Sequence, residues 1–417
     1  MRLNYKRLGD YIQPINQRNI NLEVETLLGV SIRKVLMPSI ANTIGTDMSR
    51  YKIIKKNQFA YGPVTSRNGD KISIALLEEY DKALVSQAYT VFEIIDDEDL
   101  NAEYLMMWFR RPEFDRYARF KSHGSARETF DWEELEETEL PIPSIEKQRE
   151  IVAEYNTIVN RISLNETLNQ KLEDTAQALY KHWFVDFEFP ITKESCPELV
   201  SGAPELEGKP YKSSGGEMVY NAELDCEIPL GWEDGNLIDI SQITMGQSPS
   251  GESYNVDGVG EIFYQGRTDF GFRFPNVRNY TTEPKRRAKR GNILMSVRAP
   301  VGDLNIANND CCIGRGLSAL DSLDNCNSFL YYLMLSVRNQ FDVANGEGTI
   351  FGSITKDGLH EIKILKPKIT LIKEFENLAS KIDSRIENIS IEISILNPMK
   401  DLLLSKMSKV ETKIVEV

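Results

Sequence analysis

Two stretches of the chain keep a helical beat of apolar residues far longer than any other. In the first, Ile151, Tyr155, Ile158, Ile162, Leu168, Leu172, Ala176, Leu179 and Trp183 recur at steps of mostly three and four. In the second, Phe375, Ala379, Ile382, Ile386, Ile389, Ile393 and Leu396 do so, with Leu403 and Met407 beyond them. Both patterns are heptad seams, and each begins just after a proline-bearing stop, Pro141-Ile-Pro143 or Lys366-Pro-Lys368. A helix of about 40 residues would reach roughly 60 Å, too long to hide its seam inside a small domain. The two predicted helices therefore pair most economically with each other; a coiled coil joining separate chains is the alternative. Pro398 should bend or interrupt the second helix. Asn165 and Lys400, at seam positions, could fix register or an antiparallel orientation.

Ahead of each helical stretch the pattern changes to short apolar runs broken by Gly, Pro and Asn, which predicts short strands with one modest helix. That helix is placed at Asn101 to Arg119 in the first half and Cys326 to Val343 in the second, and its aromatic stripes read as core. The two halves align. At an offset of 224, Gly124 falls on Gly348, Leu135 on Leu359, Leu140 on Ile364, Pro143 on Pro367 and Ile151 on Phe375. Weaker echoes pair Arg7–Gln13 with Asn236–Gln242, and Phe59–Ala75 with Ile293–Ala307. The drifting offset is that of a divergent duplication, with core elements kept and loops changed. The reading is an α+β chain of two globular recognition domains, 1–143 and 223–367, each of mixed short strands and helices. Each is followed by a long helix, 144–187 and 368–411, the two helices paired as an antiparallel coiled coil. The segment 188–222, with its Cys-Pro, Ala-Pro, Lys-Pro and Ser-Ser-Gly-Gly, reads as a surface linker without its own core.

Composition narrows the function. A chain of 417 residues exceeds one ordinary core. No run of eighteen apolar residues is present and the first ten residues lack the apolar stretch of a signal peptide, so a cytoplasmic protein without a membrane partner is expected. Five cysteines without a Cys-x-x-Cys, beside three histidines, argue for free, partly buried thiols over a zinc site. A net charge of −14 argues against indiscriminate coating of nucleic acid. Local fields differ: Met245 to Arg315 carries ten cations against seven anions, an excess of +3.

Catalytic signatures fail one by one. Gly314-Arg-Gly-Leu-Ser-Ala319 lacks the strand and long helix that a nucleotide loop needs. There is no Walker loop and no Asn-Pro-Pro-Tyr-like motif, and Glu361-Ile-Lys363, which mimics a nuclease Glu-x-Lys, falls on the strand repeated at Glu137-Thr-Glu139. No catalytic residue or metal ligand is assigned.

The duplicated layout, Ile228-Pro-Leu-Gly-Trp232, Leu179-Tyr-Lys-His-Trp-Phe-Val-Asp-Phe187, Gly246-Gln-Ser-Pro, Tyr264-Gln-Gly266, Ser296-Val-Arg-Ala-Pro-Val-Gly302 and Ile313-Gly-Arg-Gly316 are distinctive. Together they resemble the specificity subunit of type I restriction–modification systems over essentially the whole chain. The resemblance implies two domains that each read half of a bipartite double-stranded DNA site, with the helices as a ruler between them. It implies two methyltransferase subunits that modify adenine with S-adenosylmethionine, restriction subunits that can join, and no cofactor in this chain. A coiled-coil protein scaffold without a DNA role is the competing reading.

Cations for phosphates and planar groups for base edges select the candidate DNA contacts. In the second domain these are Gln247, Ser248, Gln265, Arg267, Arg273, Lys285, Arg286, Arg298 and Arg315. In the first they are Tyr61, Arg67, Asn68 and Lys71 on one loop, with Lys121, His123, Ser125 and Arg127 on the turn that repeats at Gly348. Ser125 and its counterpart Thr349 would donate to phosphate or cap the short helix that follows. The first domain's Tyr61-Gly-Pro loop departs from the family pattern more than its second-domain counterpart.

Overall fold

A computed structural model describes residues 5–39, 45–65, 71–123, 128–338 and 353–409. The chain divides into two compact units, Met1–Asn165 with Glu392–Val417, and Glu166–Ile391. These limits differ from those expected at 143, 187, 222 and 367 because the core of each unit continues onto stretches of both long helices.

Both units are built on one plan. In the first, strand Tyr5–Arg7 pairs with Glu139–Pro141, a 3-10 turn follows at Leu8–Asp10, and the Leu8 amide donates to the Thr138 carbonyl at 2.8 Å. In the second, Glu233–Asn236 pairs with Lys363–Lys366, the turn is Leu237–Asp239, and the Leu237 amide donates to the Ile362 carbonyl at 2.9 Å. The four-stranded antiparallel sheets share an order: Ile12–Ile15, Thr90–Ile94, Phe59–Gly62, Ser73–Leu76 in one, and Ser241–Met245, Leu317–Ser322, Ile293–Ser296, Leu304–Ile306 in the other. The short helices Trp132–Glu136 and Lys356–His360 and the starts of the long helices, Ile145 and Ile369, keep the 224 offset. Leu135 and Leu359 are both fully buried, so the duplicated positions are the ones that hold the core.

The copies part in their second sheets. The first unit has two separate hairpin-like pairs, Leu28–Val30 with Leu36–Pro38 and Lys52–Lys55 with Lys82–Val85. The second has a five-stranded sheet ordered Tyr254–Asn255, Asn279–Thr281, Glu261–Tyr264, Cys311–Ile313, Arg287–Ala288.

Four expectations change. The helix expected at Asn101 to Arg119 is two, Ala102–Arg110 and Pro112–Lys121, because Arg111 precedes proline and takes extended dihedrals. Its counterpart is Asn327–Ser336, and residues 339–343 of the expected span lie outside the described residues. Of the bend or break expected at Pro398 there is no break: the second long helix runs from Ile369 to Lys406, and the Asn397 side-chain amide donates to the Ile393 carbonyl beside it. The segment 188–222 is not a coreless linker. Phe189, Ile191, Val200 and Tyr211 are buried in the largest core of the second unit, where Phe189 stacks between Tyr211 and Trp232 with centroids 4.6 and 5.2 Å away. Its proline- and glycine-rich composition masked four apolar anchors spaced too irregularly to show a period.

The fourth change concerns the first long helix, Ile145–Phe184. The residues buried along its middle are Asn165, Asn169 and Glu173, and Leu168 and Leu172 are only half-buried. Apolar identity alone placed the seam one residue early. Asn169 is held by Ser390, its Nδ2 donating at 3.2 Å, and Glu173 by an arginine described below. Lys400 is half-buried and donates to Asn397.

The five cysteines are free thiols, and Cys226 alone among them is exposed. Burial pushes the thiol pKa of Cys311 up to about 12 and that of Cys326 up to about 11, which suppresses the nucleophilic thiolate. A disulfide reagent at neutral pH should therefore label Cys226 rapidly and the other four only after denaturation. Fast release of more than one equivalent from the native chain would contradict this burial.

Candidate nucleic-acid interface

In the second unit, four of the motifs singled out in the sequence meet through backbone hydrogen bonds. The Gly246 amide donates to the Leu317 carbonyl at 2.9 Å and Gln247 to Ile313 at 3.0 Å. Gly314 donates to Tyr264 at 2.8 Å, Val297 to Gly316 at 2.9 Å, and the Arg315 amide to the Ser248 hydroxyl at 3.2 Å. A Cβ on Gly246 would lie 2.1 Å from the Gly314 carbonyl oxygen, so these loops pack backbone to backbone and glycine is required there. Gly314-Arg-Gly is thus a packing turn. On this assembly Gln247, Gln265, Arg267, Arg298 and Arg315 are exposed and Ser248 is half-exposed.

Ser296 closes the loop that carries Arg298. Its hydroxyl donates to the Pro300 carbonyl at 2.8 Å and accepts from the Asp303 amide at 3.0 Å, while its own amide donates to the Asp303 carbonyl. Asp303 in turn forms ion pairs with Arg267 and, at 2.6 Å, with Arg338. A cavity of about 800 Å³ opens between these loops and the first long helix, lined by Gln265, Arg267, Phe272, Arg298 and Asp303, with Gln170 on the helix side. Stiff loops carrying arginines and amides beside an open groove suit recognition of an anionic, planar-edged ligand.

Arg273 does not belong to this face. Only 1% of it is exposed: it ion-pairs with Glu173 of the first long helix and, at 3.1 Å, with Asp383 of the second, and it donates to the Tyr332 hydroxyl at 2.6 Å. Its guanidinium also lies 4.1 Å from the Tyr331 ring centroid. Burial acts to lower its pKa, but Tyr331, Asp383, Tyr332 and Glu173 outweigh it and hold the group charged. A position that looked like a surface cation in sequence is an internal anchor joining its loop to both long helices.

The basic run divides. Arg287 pairs with Glu261 at 2.9 Å and Arg290 with Glu387 of the second long helix at 2.6 Å, while Lys285, Arg286 and Lys289 are exposed. Fixed by those pairs and by the Ile313 amide donating to the Arg286 carbonyl, the segment holds its remaining cations on a strand end rather than on a floppy turn.

In the first unit Tyr61, expected on an exposed loop, is not at the surface. It lies fully buried on strand Phe59–Gly62, edge-on to Phe130 at 6.4 Å, and burial pushes its hydroxyl pKa up. Lys71 and His123 are exposed, and Lys121 is paired with Glu134 at 3.3 Å. Arg67, Asn68, Ser125, Arg127 and Thr349 lie outside the described residues. The capping or phosphate role expected of Ser125 and Thr349 therefore lies outside the described residues too. The short helices start later, after Asp131 and Thr355, and the Thr355 side chain accepts from the Gly358 amide at 3.1 Å.

Two groups escaped the sequence. Asp303, which pairs two arginines, is one acid among many in a loop. Glu173 is hidden among the polar positions of a long helix and is recognisable only from the heptad phase of its buried neighbours.

Among known proteins, a family profile described as the type I restriction modification DNA specificity domain matches twice, at residues 37–174 and 229–397. A sequence described as the MjaX type I restriction enzyme specificity subunit of Methanocaldococcus jannaschii is 32% identical over 68% of this chain, and the match spans 61% of that relative. The HindI type I restriction enzyme specificity subunit of Haemophilus influenzae is 24% identical over 90% of both chains. The crystal structure of a type I restriction–modification S subunit from M. genitalium superposes with a TM-score of 0.59 at 14% identity, covering 99% of each chain, a likeness of fold.

Proposed function

Because the chain belongs to the family of type I restriction–modification DNA specificity domains and carries that domain twice, we propose that it reads a bipartite double-stranded DNA target, one half-site with each copy. The observation that carries this reading is the face of Gln247, Gln265, Arg267, Arg298 and Arg315, mounted on loops locked to one another by backbone hydrogen bonds. Amide and guanidinium groups held on rigid backbone are what direct readout of base edges requires. The divergent second sheets would give the two copies different base preferences.

We further read the long helices as an antiparallel coiled coil. In the first unit Arg161 pairs with Glu392, and Val152 and Tyr155 share a core with Leu404 and Met407. In the second, Asn169 bonds Ser390 and Trp183 packs on Phe375. Numbers fall along one helix as they rise along the other. Ile395, Met399 and Leu402, at steps of four and three, leave an apolar stripe about half exposed on the second helix, a surface suited to a protein partner. Two methyltransferase subunits docked on the helices would supply S-adenosylmethionine chemistry at adenine, and restriction subunits would add cleavage. Such a complex acts in the cytoplasm; among the described residues no helix is long and apolar enough to cross a membrane.

The test is to combine the chain with its methyltransferase subunits, select from random-sequence duplexes, and map methylated adenines. A two-part consensus with methylation in it is expected. Arg298→Ala should cost about 1–3 kcal/mol on the selected target and relax the preference at one position of one half-site. Binding without sequence preference would sink the specificity reading, and no binding at all would favour a protein scaffold.

A further inference from the structure

Apart from Tyr61, the groups that sequence reasoning offered to DNA were polar or cationic, but the groove of the second unit also carries an aromatic ring. Phe272 is 52% exposed and lines the same cavity as Arg267 and Arg298. It stands at the tip of a loop that is closed on every side. Phe270 and Pro275 form an antiparallel bridge, the Gly271 amide donates to the Phe274 carbonyl at 3.2 Å, and the Asn276 amide donates to the Asp269 carbonyl at 2.7 Å. Asn305 clasps Gly271 from the neighbouring strand, its Oδ1 accepting from the Gly271 amide and its Nδ2 donating to the Gly271 carbonyl. A Cβ on Gly271 would lie 2.5 Å from the Phe274 carbonyl oxygen, so the turn is this tight only with glycine. The next residue after Phe272 is the buried Arg273, tied to both long helices.

The loop therefore presents one large apolar side chain to water while fixing its backbone on both sides. Such preorganisation lowers the ordering cost of a contact, and an aromatic ring held open is an element of recognition more than of stability. Its neighbours define the ligand. Exposed arginines beside it attract phosphate, and a phenyl ring meets a thymine methyl or wedges against a base step. The groove is also lined by Phe270, Pro300, Leu304 and Leu335, but Arg267, Arg298 and Gln265 are exposed in it and favour an anionic, hydrogen-bonding ligand over an apolar protein surface.

We propose that Phe272 makes an apolar base contact in the half-site read by the second copy, and so determines specificity there alongside the arginines. This rests on the DNA reading above. The experiment uses the full chain with its methyltransferase subunits and compares wild type, Phe272→Ala and Phe272→Leu by selection from random-sequence duplexes and by affinity for the wild-type consensus. Phe272→Ala should bind that consensus about tenfold more weakly and lose preference at one or two adjacent positions of one half-site, with the other half-site unchanged. The slope of log affinity against log salt should stay the same, because no phosphate contact is removed. Phe272→Leu, which keeps an apolar group, should retain part of the preference. Unchanged affinity and consensus in Phe272→Ala would overturn the inference while leaving the DNA reading intact, and equal losses at both half-sites would overturn it too. A wild-type complex that enriches no sequence would overturn the DNA reading itself, and this inference with it.

Discussion

Arg273→Ala is expected to destabilise the unit Glu166–Ile391 by about 3–5 kcal/mol, the range for removing one partner of a buried ion pair. The substitution removes the cation that pairs with two mostly buried carboxylates, Glu173 and Asp383. It also takes away the donor to the Tyr332 hydroxyl, which keeps its own bond to Asp383, and the cation stacked on Tyr331. At roughly 2–4 °C per kcal/mol for a unit of this size, the thermal transition should fall by about 10 °C. A triple change, Arg273→Met with Glu173→Gln and Asp383→Asn, separates the two origins of that loss. It removes the uncompensated charge and keeps the volume, so it should recover much of the stability. If Arg273→Ala melts within about 2 °C of wild type, the network does not hold this loop on the helices and its burial has another cause.

The contrast between Arg273 and its neighbours marks how far the sequence could be read. The duplication, both long helices and the offset of 224 were visible because core positions change slowly in identity class: Leu135 and Leu359, Leu140 and Ile364, Trp132–Glu136 and Lys356–His360. The loops that carry the candidate interface were visible as glycine- and proline-marked motifs. Their meeting was not, because it depends on backbone hydrogen bonds between residues such as Gly246 and Leu317 that leave no periodic trace. Charge was the most misleading signal. An arginine looks the same whether it faces solvent, as Arg298 does, or two carboxylates across a core, as Arg273 does. The same holds for tyrosine: Tyr61 sits on a strand whose residues are all buried, and the adjoining glycine and proline drew attention to it as a loop. Polar seam residues were missed for the converse reason. Asn169 and Glu173 occupy the buried phase of a helix while Leu168 beside them carries the apolar label.

Phe375→Ala is the second large effect expected, about 3–5 kcal/mol, for a different physical reason. Phe375 is fully buried at the point where the second long helix meets the end of the first, with Trp183, Phe184 and Tyr180 at centroid distances of 6.0, 5.3 and 5.7 Å. Phe329 and Tyr332 of the intervening helix close the cluster at 6.3 and 6.0 Å. No charge is involved, so the loss is one of transfer energy plus the cavity left behind, which rings anchored on two other helices are poorly placed to refill. Phe375→Met keeps most of the volume and a flexible apolar chain, and should cost under about 1.5 kcal/mol. In the duplicate position the first unit holds Ile151, which is only half-buried, so Ile151→Ala should cost clearly less than Phe375→Ala although the two positions are equivalent in the repeat. Thermal melts of the three variants measure this order. Equal losses at Ile151 and Phe375 would mean that the aromatic cluster adds nothing beyond an ordinary helix seam. The expected inequality would mean that the second copy is fastened to its helices by aromatic packing the first copy does not have at this position.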